Sequence, residues 1–285
     1  MTVALFFKET TMRLSKALGN IGEGEAAARI IFEDVAGYDR KYIFMHGERE
    51  IADFMQAKIY DVVKRVEAGE PVQYAVGHAR FMGNDYKVSR AVLIPRPETE
   101  GLVDMIIERF GSCSDLKILD VGTGSGCIAI SLARALPFSM VKAVDISATA
   151  IDIARENAHT LNAKVQFEQL DIQNAYFNGG EQYDIIVSNP PYIAESEKDG
   201  MDSRVLDYEP SIALFVPDND PLVFYRAIAH YTREALTVRG ELFFEINALY
   251  PEEARQLLVK EGFDDVDIIR DYRGKYRYVR ARKTI

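Results

Sequence analysis

The chain has 285 residues, 48% hydrophobic and 27% charged, with a formal net charge of −10. That balance describes a folded protein with a large core and excludes long disorder. The acidic excess argues against a phosphate-backbone partner, and the absence of any long uncharged apolar stretch argues against a membrane span.

In chain order, the apolar run from Val3 to Phe7 is too short for a secretory leader. Apolar residues then recur at helical spacing over 25–35 and 48–68, which predicts a small helical domain over 1–70. Residues 71–97 change period: Val72, Tyr74, Val76, Phe81, Tyr86 and Val88 are broken by Gly77 and Gly83. This predicts a β-hairpin linker. From Leu116 onward strand and helix patterns alternate. Strands are expected over 116–121, 140–146, 165–170, 183–188 and 241–246. Helices are expected over 126–136, 148–161, 221–236 and 252–260. Two short strands over 266–269 and 276–281, joined through Gly274, are expected to pair antiparallel. The domain over 98–285 is therefore predicted to be α/β, an open parallel sheet with helices on both faces, binding its ligand beyond the C-terminal strand ends.

Asn189-Pro190-Pro191-Tyr192 ends the strand over 183–188. Neither proline donates a backbone hydrogen bond, and each holds the residue before it extended. The resulting stiff loop presents the side-chain carbonyl of Asn189 and the backbone carbonyl of Pro190 as paired acceptors, a match for a planar NH2 group. An ordinary strand-ending turn has the same composition, so neighbouring motifs must decide.

Asp120-Val121-Gly122-Thr123-Gly124-Ser125-Gly126 joins the first strand of the sheet to its first helix. A dinucleotide fingerprint needs its third glycine at position 127, where Cys127 stands, and no Lys-Ser/Thr pair completes a P-loop. Asp145 ends the next strand, where a carboxylate can accept both ribose hydroxyls, and Asp171 ends the third, within reach of an adenine amine. A glycine loop with two such acids describes a nucleoside pocket without a pyrophosphate site, which fits S-adenosyl-L-methionine. His46, His78, His159 and His230 are scattered without ligand partners, so no metal is expected. Cys113 and Cys127 lack CxxC spacing, and a reducing cytoplasm is the expected setting. The acidic run 195–199 is expected to be a solvated flap, and the basic residues over 273–283 the wet face of a strand.

With these residues in hand, the chain resembles the HemK/PrmC family of protein-(glutamine-N5) methyltransferases. The resemblance rests on Gly69-Glu70-Pro71-Val72-Gln73-Tyr74, on Leu93-Ile94-Pro95-Arg96-Pro97-Glu98-Thr99-Glu100, on 119–130, on Asn189 to Tyr192 and on Tyr208-Glu209-Pro210. It implies a class I, Rossmann-like methyltransferase sheet and S-adenosyl-L-methionine as cofactor, with S-adenosyl-L-homocysteine as product. The implied substrate is the GGQ glutamine of class-1 peptide chain release factors, taken by a cytoplasmic monomer whose helical domain docks the protein. It further implies that Gly122, Thr123, Gly124, Ser125, Gly126, Asp145, Asp171 and Ile172 hold the cofactor. Asn189 and Pro190 would be catalytic, Asn189 touching cofactor and substrate alike, with Pro191 and Tyr192 on the substrate side. One departure stands out. The family's Glu-Ile-Gly followed by Gln is here Glu245-Ile246-Asn247-Ala248-Leu249. The competing enzyme reading is an N6-adenine DNA or RNA methyltransferase, which needs a basic cleft that the net charge disfavours. A non-catalytic binding module is the third reading, at odds with retention of the whole motif set.

Overall fold

The computed structural model describes residues Met1–Lys283; positions 284 and 285, the end of the expected catalytic domain, lie outside the described residues. The chain forms two compact units, one of Met1–His78 with Met201–Tyr208, the other of Ala79–Gly200 with the chain from Glu209 on.

The first unit is helical: α1 (Val3–Leu18), α2 (Ile21–Ala36), α3 (Arg40–His46), α4 (Asp53–Glu67) and α5 (Val72–Val76). Thr2, Asn20 and Asp39 accept a first-turn N–H of α1, α2 and α3 through their side chains, satisfying donors that a helix start leaves unpaired. Val3, Phe6 and Leu14 of α1 pack with Ile31, Phe32, Ile59 and Val63 in one core. The helix expected over 48–68 is shorter than its periodicity. Thr2 bridges Glu50, and Ile51 N donates to Met1 O, so this stretch is extended and α4 begins at Asp53. Residues 72–76, expected as strand, form the one-turn α5 instead. Two-residue alternation over so few positions does not separate the two states. Gly77 (φ 90°) ends the turn in left-handed geometry, and the Arg65 guanidinium takes the Tyr74 and Ala75 carbonyls that the helix end leaves free.

The second unit opens with β1 (His78–Phe81) and β2 (Asn84–Lys87), the hairpin expected from Gly83, followed by α6 (Pro97–Phe110). No periodic signal announced α6, yet Pro97 opens it and Glu98 and Glu100 lie in its first turn, both favourable at a helix N-terminus. Then come β3 (Lys117–Val121), α7 (Cys127–Ala135), β4 (Met140–Asp145), α8 (Ala148–Thr160), β5 (Val165–Gln169) and β6 (Tyr183–Ser188). Two-residue β7 (Ile193–Ala194) precedes a 3-10 turn, Glu195–Gly200, and α9 (Ser203–Tyr208), which belongs to the helical unit. The remainder is β8 (Phe215–Val216), α10 (Val223–Ala235), β9 (Leu236–Glu245), α11 (Pro251–Lys260), β10 (Asp264–Arg270) and β11 (Tyr276–Arg282).

Seven strands form one sheet in the order β10-β11-β9-β6-β3-β4-β5. The five from β9 to β5 are parallel, and β11 runs antiparallel to both β9 and β10. Alternation along the central strands builds two cores. Ile118, Ile185 and Phe243 meet Leu102, Ile106 and Ile130 on one face, while Leu119, Ile186 and Phe244 meet Ile228, Tyr225 and Leu258 on the other. The strand order reverses between β3 and β6, so the loops after these strands leave toward opposite faces and open a crevice. Among the described residues, no helix is long and apolar enough to cross a membrane.

Within the helical unit α1 and α2 touch at Gly24, where an added Cβ would stand 2.4 Å from Ser15 N and 2.5 Å from Ser15 Cα. Gly24→Ala is expected to force these helices apart at a cost of about 1–3 kcal/mol. The full-length variant should melt earlier, with amide-exchange protection lost first in α1 and α2.

Candidate active site

The loop after β3 is shaped by its own backbone bonds. Gly122 N and Thr123 N both donate to Val144 O at the end of β4, and Gly126 N donates to Thr123 O. Gly122 (φ 74°) and Gly124 (φ 55°) are left-handed with open space where a Cβ would be, whereas a Cβ on Gly126 would meet Ile130 Cδ1 at 2.9 Å. The first two glycines therefore leave room for a ligand, and the third lets α7 pack against α8. Asp120 lies fully buried beneath the loop; its Oδ2 accepts from Thr123 Oγ1 at 2.6 Å and from Ala129 N at 3.2 Å. Among the described residues its Oδ1 is buried without a hydrogen-bond partner. Asn157 of α8 ties the loop to the hairpin: Nδ2 donates to Ser125 O and Lys87 O, and Oδ1 accepts from Lys87 N.

Asp145, at the end of β4, accepts from Gly124 N at 2.8 Å and from Ser147 N at 2.9 Å. Burial pushes its carboxyl above the ordinary range, opposed by those N–H groups. Asp171 accepts from Gln173 N and Asn174 Nδ2. Each carboxylate retains free lone pairs for a further donor.

The turn after β6 is anchored at both ends. Ser188 Oγ donates to Val121 O at 2.6 Å, fastening the end of β6 to the end of β3. Asn189 Nδ2 donates to Thr99 Oγ1 at 3.1 Å, and Thr99 Oγ1 donates to Glu245 Oε2 at 2.7 Å. At the far end Tyr192 OH donates to Glu245 Oε1 at 3.0 Å, and Asn247 Nδ2 donates to Tyr192 O and to Glu197 Oε1. Burial pushes the Glu245 carboxyl up, while the two hydroxyls and the positive charge of Arg277 pull it back. The acidic run 195–199 lies in a 3-10 turn with no buried residue, in which Glu197 also accepts from Ala194 N.

One cavity at the switch point is lined by Gly122, Gly124, Asp145, Asp171, Ile172, Asn189, Pro190 and Pro191. Thr123, Ser125, Gly126 and Tyr192 are not part of its wall. The first three shape the loop from within, and Tyr192 turns its hydroxyl to Glu245. The open glycine cradle, the Asp145 and Asp171 carboxylates and the apolar strip of Leu170, Ile172 and Ile228 suit a group with ribose hydroxyls and a flat apolar base. Among the described residues no cluster of His, Cys, Asp and Glu has the geometry to hold a metal ion. Motif reading did not single out Thr99, Asn157, Glu245 or Asn247 as site residues. Thr99 and Glu245 lay within quoted motifs, but their pairing joins positions 146 apart, a relation visible only once α6 and β9 are side by side.

Residues 7–77 match the family model of the PrmC N-terminal domain, and residues 99–206 that of the methyltransferase small domain. The release factor glutamine methyltransferase of Bacteroides thetaiotaomicron is 44% identical over 261 residues, covering 92% of this chain and 93% of that protein. Its counterpart in Koribacter versatilis is 40% identical over 245 residues, 86% of each chain. Among solved structures, a methyltransferase from Pyrococcus furiosus shares the fold at a TM-score of 0.53 and 17% identity, over 82% of this chain and 100% of that one.

Burial pushes Asp120 up to about 7, outweighing the Thr123 hydroxyl and the Ala129 N–H. The folded carboxyl keeps its proton at pH values where the unfolded one has lost it. Its contribution is therefore full below the unfolded value near 4 and is lost as pH rises through about 7. Asp120→Asn does not ionise, so urea melts of both proteins should converge or cross between about pH 4.5 and 8, the wild type losing on the order of 2–4 kcal/mol relative to the variant. Parallel pH profiles would contradict an elevated Asp120.

Proposed function

The chain belongs to the release factor glutamine methyltransferase family, and on that premise we propose that it methylates the side-chain amide nitrogen of a release-factor glutamine, the GGQ glutamine, with S-adenosyl-L-methionine as donor. The observation that carries this reading is the state of Asn189. Its NH2 is taken up by Thr99, its Oδ1 has no partner among the described hydrogen bonds, and it shares a cavity with Gly122, Gly124 and Asp145.

Gly122 and Gly124 admit the cofactor to the loop backbone, Asp145 accepts from its ribose, and Asp171 with Ile172 flanks its base. When bound, the cofactor supplies a methyl group on a positively charged sulfur and departs as S-adenosyl-L-homocysteine. The residues of this chain then have one task, because an amide nitrogen is a weak nucleophile whose lone pair is delocalised into its carbonyl. Asn189 Oδ1 accepts one N–H of the substrate amide and Pro190 O accepts the other. Two fixed acceptors hold the nitrogen in line and favour a pyramidal nitrogen with its lone pair free to attack. Positioning of this kind contributes up to about 7–11 kcal/mol in well-oriented reactions. The methylated amide nitrogen carries the positive charge briefly and releases its proton to water, so the clamp needs no strong base. Pro191 walls the substrate side, and Tyr192, held by Glu245 and Asn247, closes the turn.

We also assign the helical unit to docking the protein substrate. It exposes Phe44, Met45 and Phe54, apolar side chains of the kind that line protein-binding surfaces.

Incubation with methyl-labelled cofactor tests the substrate class: label is expected in release factor and lost when its GGQ glutamine is replaced. Label in nucleic acid would favour adenine methylation, and label in neither a binding module. Asn189→Ala should lower methyl transfer by about 100-fold or more while cofactor affinity stays within about 10-fold. Pro190→Ala, which keeps the carbonyl, should lose less; a greater loss at Pro190 than at Asn189 would overturn the assignment of Asn189 as the main acceptor.

A further inference from the structure

A carboxamide has two ends of nearly equal size, so the walls of a pocket do not by themselves choose between Asn189 presenting oxygen or nitrogen to the cavity. The choice has to come from the polarity of its hydrogen bonds. In this structure it traces back to a carboxylate. Glu245, at the end of β9 and 1% exposed, accepts from the Thr99 hydroxyl at 2.7 Å and from the Tyr192 hydroxyl at 3.0 Å. Both hydroxyls and the positive charge of Arg277 favour the ionised carboxylate against the cost of its burial, and an ionised carboxylate only accepts. The single hydroxyl proton of Thr99 is therefore committed to Glu245, and Thr99 Oγ1 has only lone pairs left for its other neighbour. That neighbour is Asn189 Nδ2 at 3.1 Å. Turned by half a rotation, Asn189 would set Oδ1 against those lone pairs, two acceptors face to face in a buried site. Thr99 comes from the first turn of α6 and Glu245 from the sheet, so the order is imposed on the turn from two elements outside it.

We propose that Glu245, acting through the Thr99 hydroxyl, is a positioning residue that locks the Asn189 carboxamide with Oδ1 toward the substrate, and through Tyr192 holds the opposite end of the same turn. This rests on Asn189 being the amide acceptor described above. The arrangement also accounts for a buried carboxylate at this place. A group that is costly to desolvate is retained where its acceptor-only character orders two hydroxyl donors at once. A neutral glutamine at 245 would break that order, because its NH2 can donate to Thr99 and free the threonine proton to turn toward Asn189 Oδ1.

The test uses the full-length protein as wild type, Thr99→Val, Thr99→Ser and Glu245→Gln. Readouts are kcat and KM for release factor, cofactor Kd, and the side-chain NH2 resonance of Asn189 in protein carrying isotope-labelled asparagine, assigned by its loss in Asn189→Ala. Thr99→Val is expected to lower kcat by about 10- to 100-fold with cofactor Kd within about threefold. Thr99→Ser, which restores the hydroxyl, should recover most of the rate, and Glu245→Gln should follow Thr99→Val. In the wild type one Asn189 amide proton should be protected from solvent exchange, and that protection should vanish in Thr99→Val. Equal losses in the valine and serine variants would overturn the proposal, since packing alone would then explain them. So would an Asn189 NH2 that exchanges freely in the wild type, a reading that stands even where Thr99→Val fails to fold. A wild type that leaves release factor unmethylated but shows the protected resonance would refute the substrate assignment and leave the locked carboxamide standing.

Discussion

The hydrogen bond from Ser188 Oγ to Val121 O sits where the two halves of the sheet part company. Up to that point β3 and β6 are neighbours in parallel register, Val121 opposite Ser188. Beyond it their loops diverge, and no further ladder bond holds the strands together. A side-chain hydroxyl serves in place of the missing ladder bond, so the glycine loop and the Asn-Pro-Pro-Tyr turn begin from a common fixed origin. The proposed methyl transfer between groups held by these two loops would tolerate little slippage, since an ångström of misplacement is costly to an in-line displacement. The cavity of the second unit opens at that seam, with Val121 and Ser188 in its wall.

Around it, buried carboxylates act as anchors more than as reagents. Asp120 collects Thr123 and Ala129 under the glycine loop, and Glu245 collects Thr99 and Tyr192 under the turn. Glu209 takes Ile94 N and the Arg96 guanidinium, fixing the segment that leads into α6. Each is costly to desolvate and is stabilised by its donors. Those of Asp120 lie in its own loop and the helix that follows, whereas Glu209 and Glu245 join segments far apart in sequence where a purely apolar contact would leave orientation free. Hydrophobic layers on the two faces of the sheet give the unit its cohesion, and these acids give its loops their angles.

The division between what residues announce and what they conceal follows the range of the interaction. β3, β4, β6, α7 and α8 declare themselves through local periodicity, and the cofactor loop through three glycines whose backbone geometry is a property of the loop itself. Asn189 and Pro190 are legible because proline acts on its immediate neighbours. α1 buries Val3, Phe6, Thr10 and Leu14 at helical spacing, but Thr10 puts a polar residue on that face. The strand-like spacing of Val72, Tyr74 and Val76 misled because the helical turn there depends on Arg65 reaching its carbonyls. Asn247, where the family pattern has glycine, looked like a gap in the motif. It proves to hold the Tyr192 carbonyl and Glu197 with one amide, a role set by neighbours 55 and 50 positions away. Thr99, Asn157 and Glu245 likewise owe their roles to partners met only after the sheet is assembled.

The excursion of Met201–Tyr208 into the helical unit changes what kind of object that unit is. Arg204 reaches Glu23, and Tyr208 OH donates to Ala68 O, so a piece of chain threaded through the middle of the sheet domain is native to the helical one. The polypeptide crosses between the units after His78, after Gly200 and again after Tyr208. A protease nick at the first crossing would leave residues 1–78 held by packing against 201–208, a segment that stays covalently part of the other fragment. A gene fusion that swaps the leading residues for those of a relative inherits an interface already half written by the host. The helical unit is therefore not a detachable cassette, since one of its segments is encoded between β7 and β8 of the other unit.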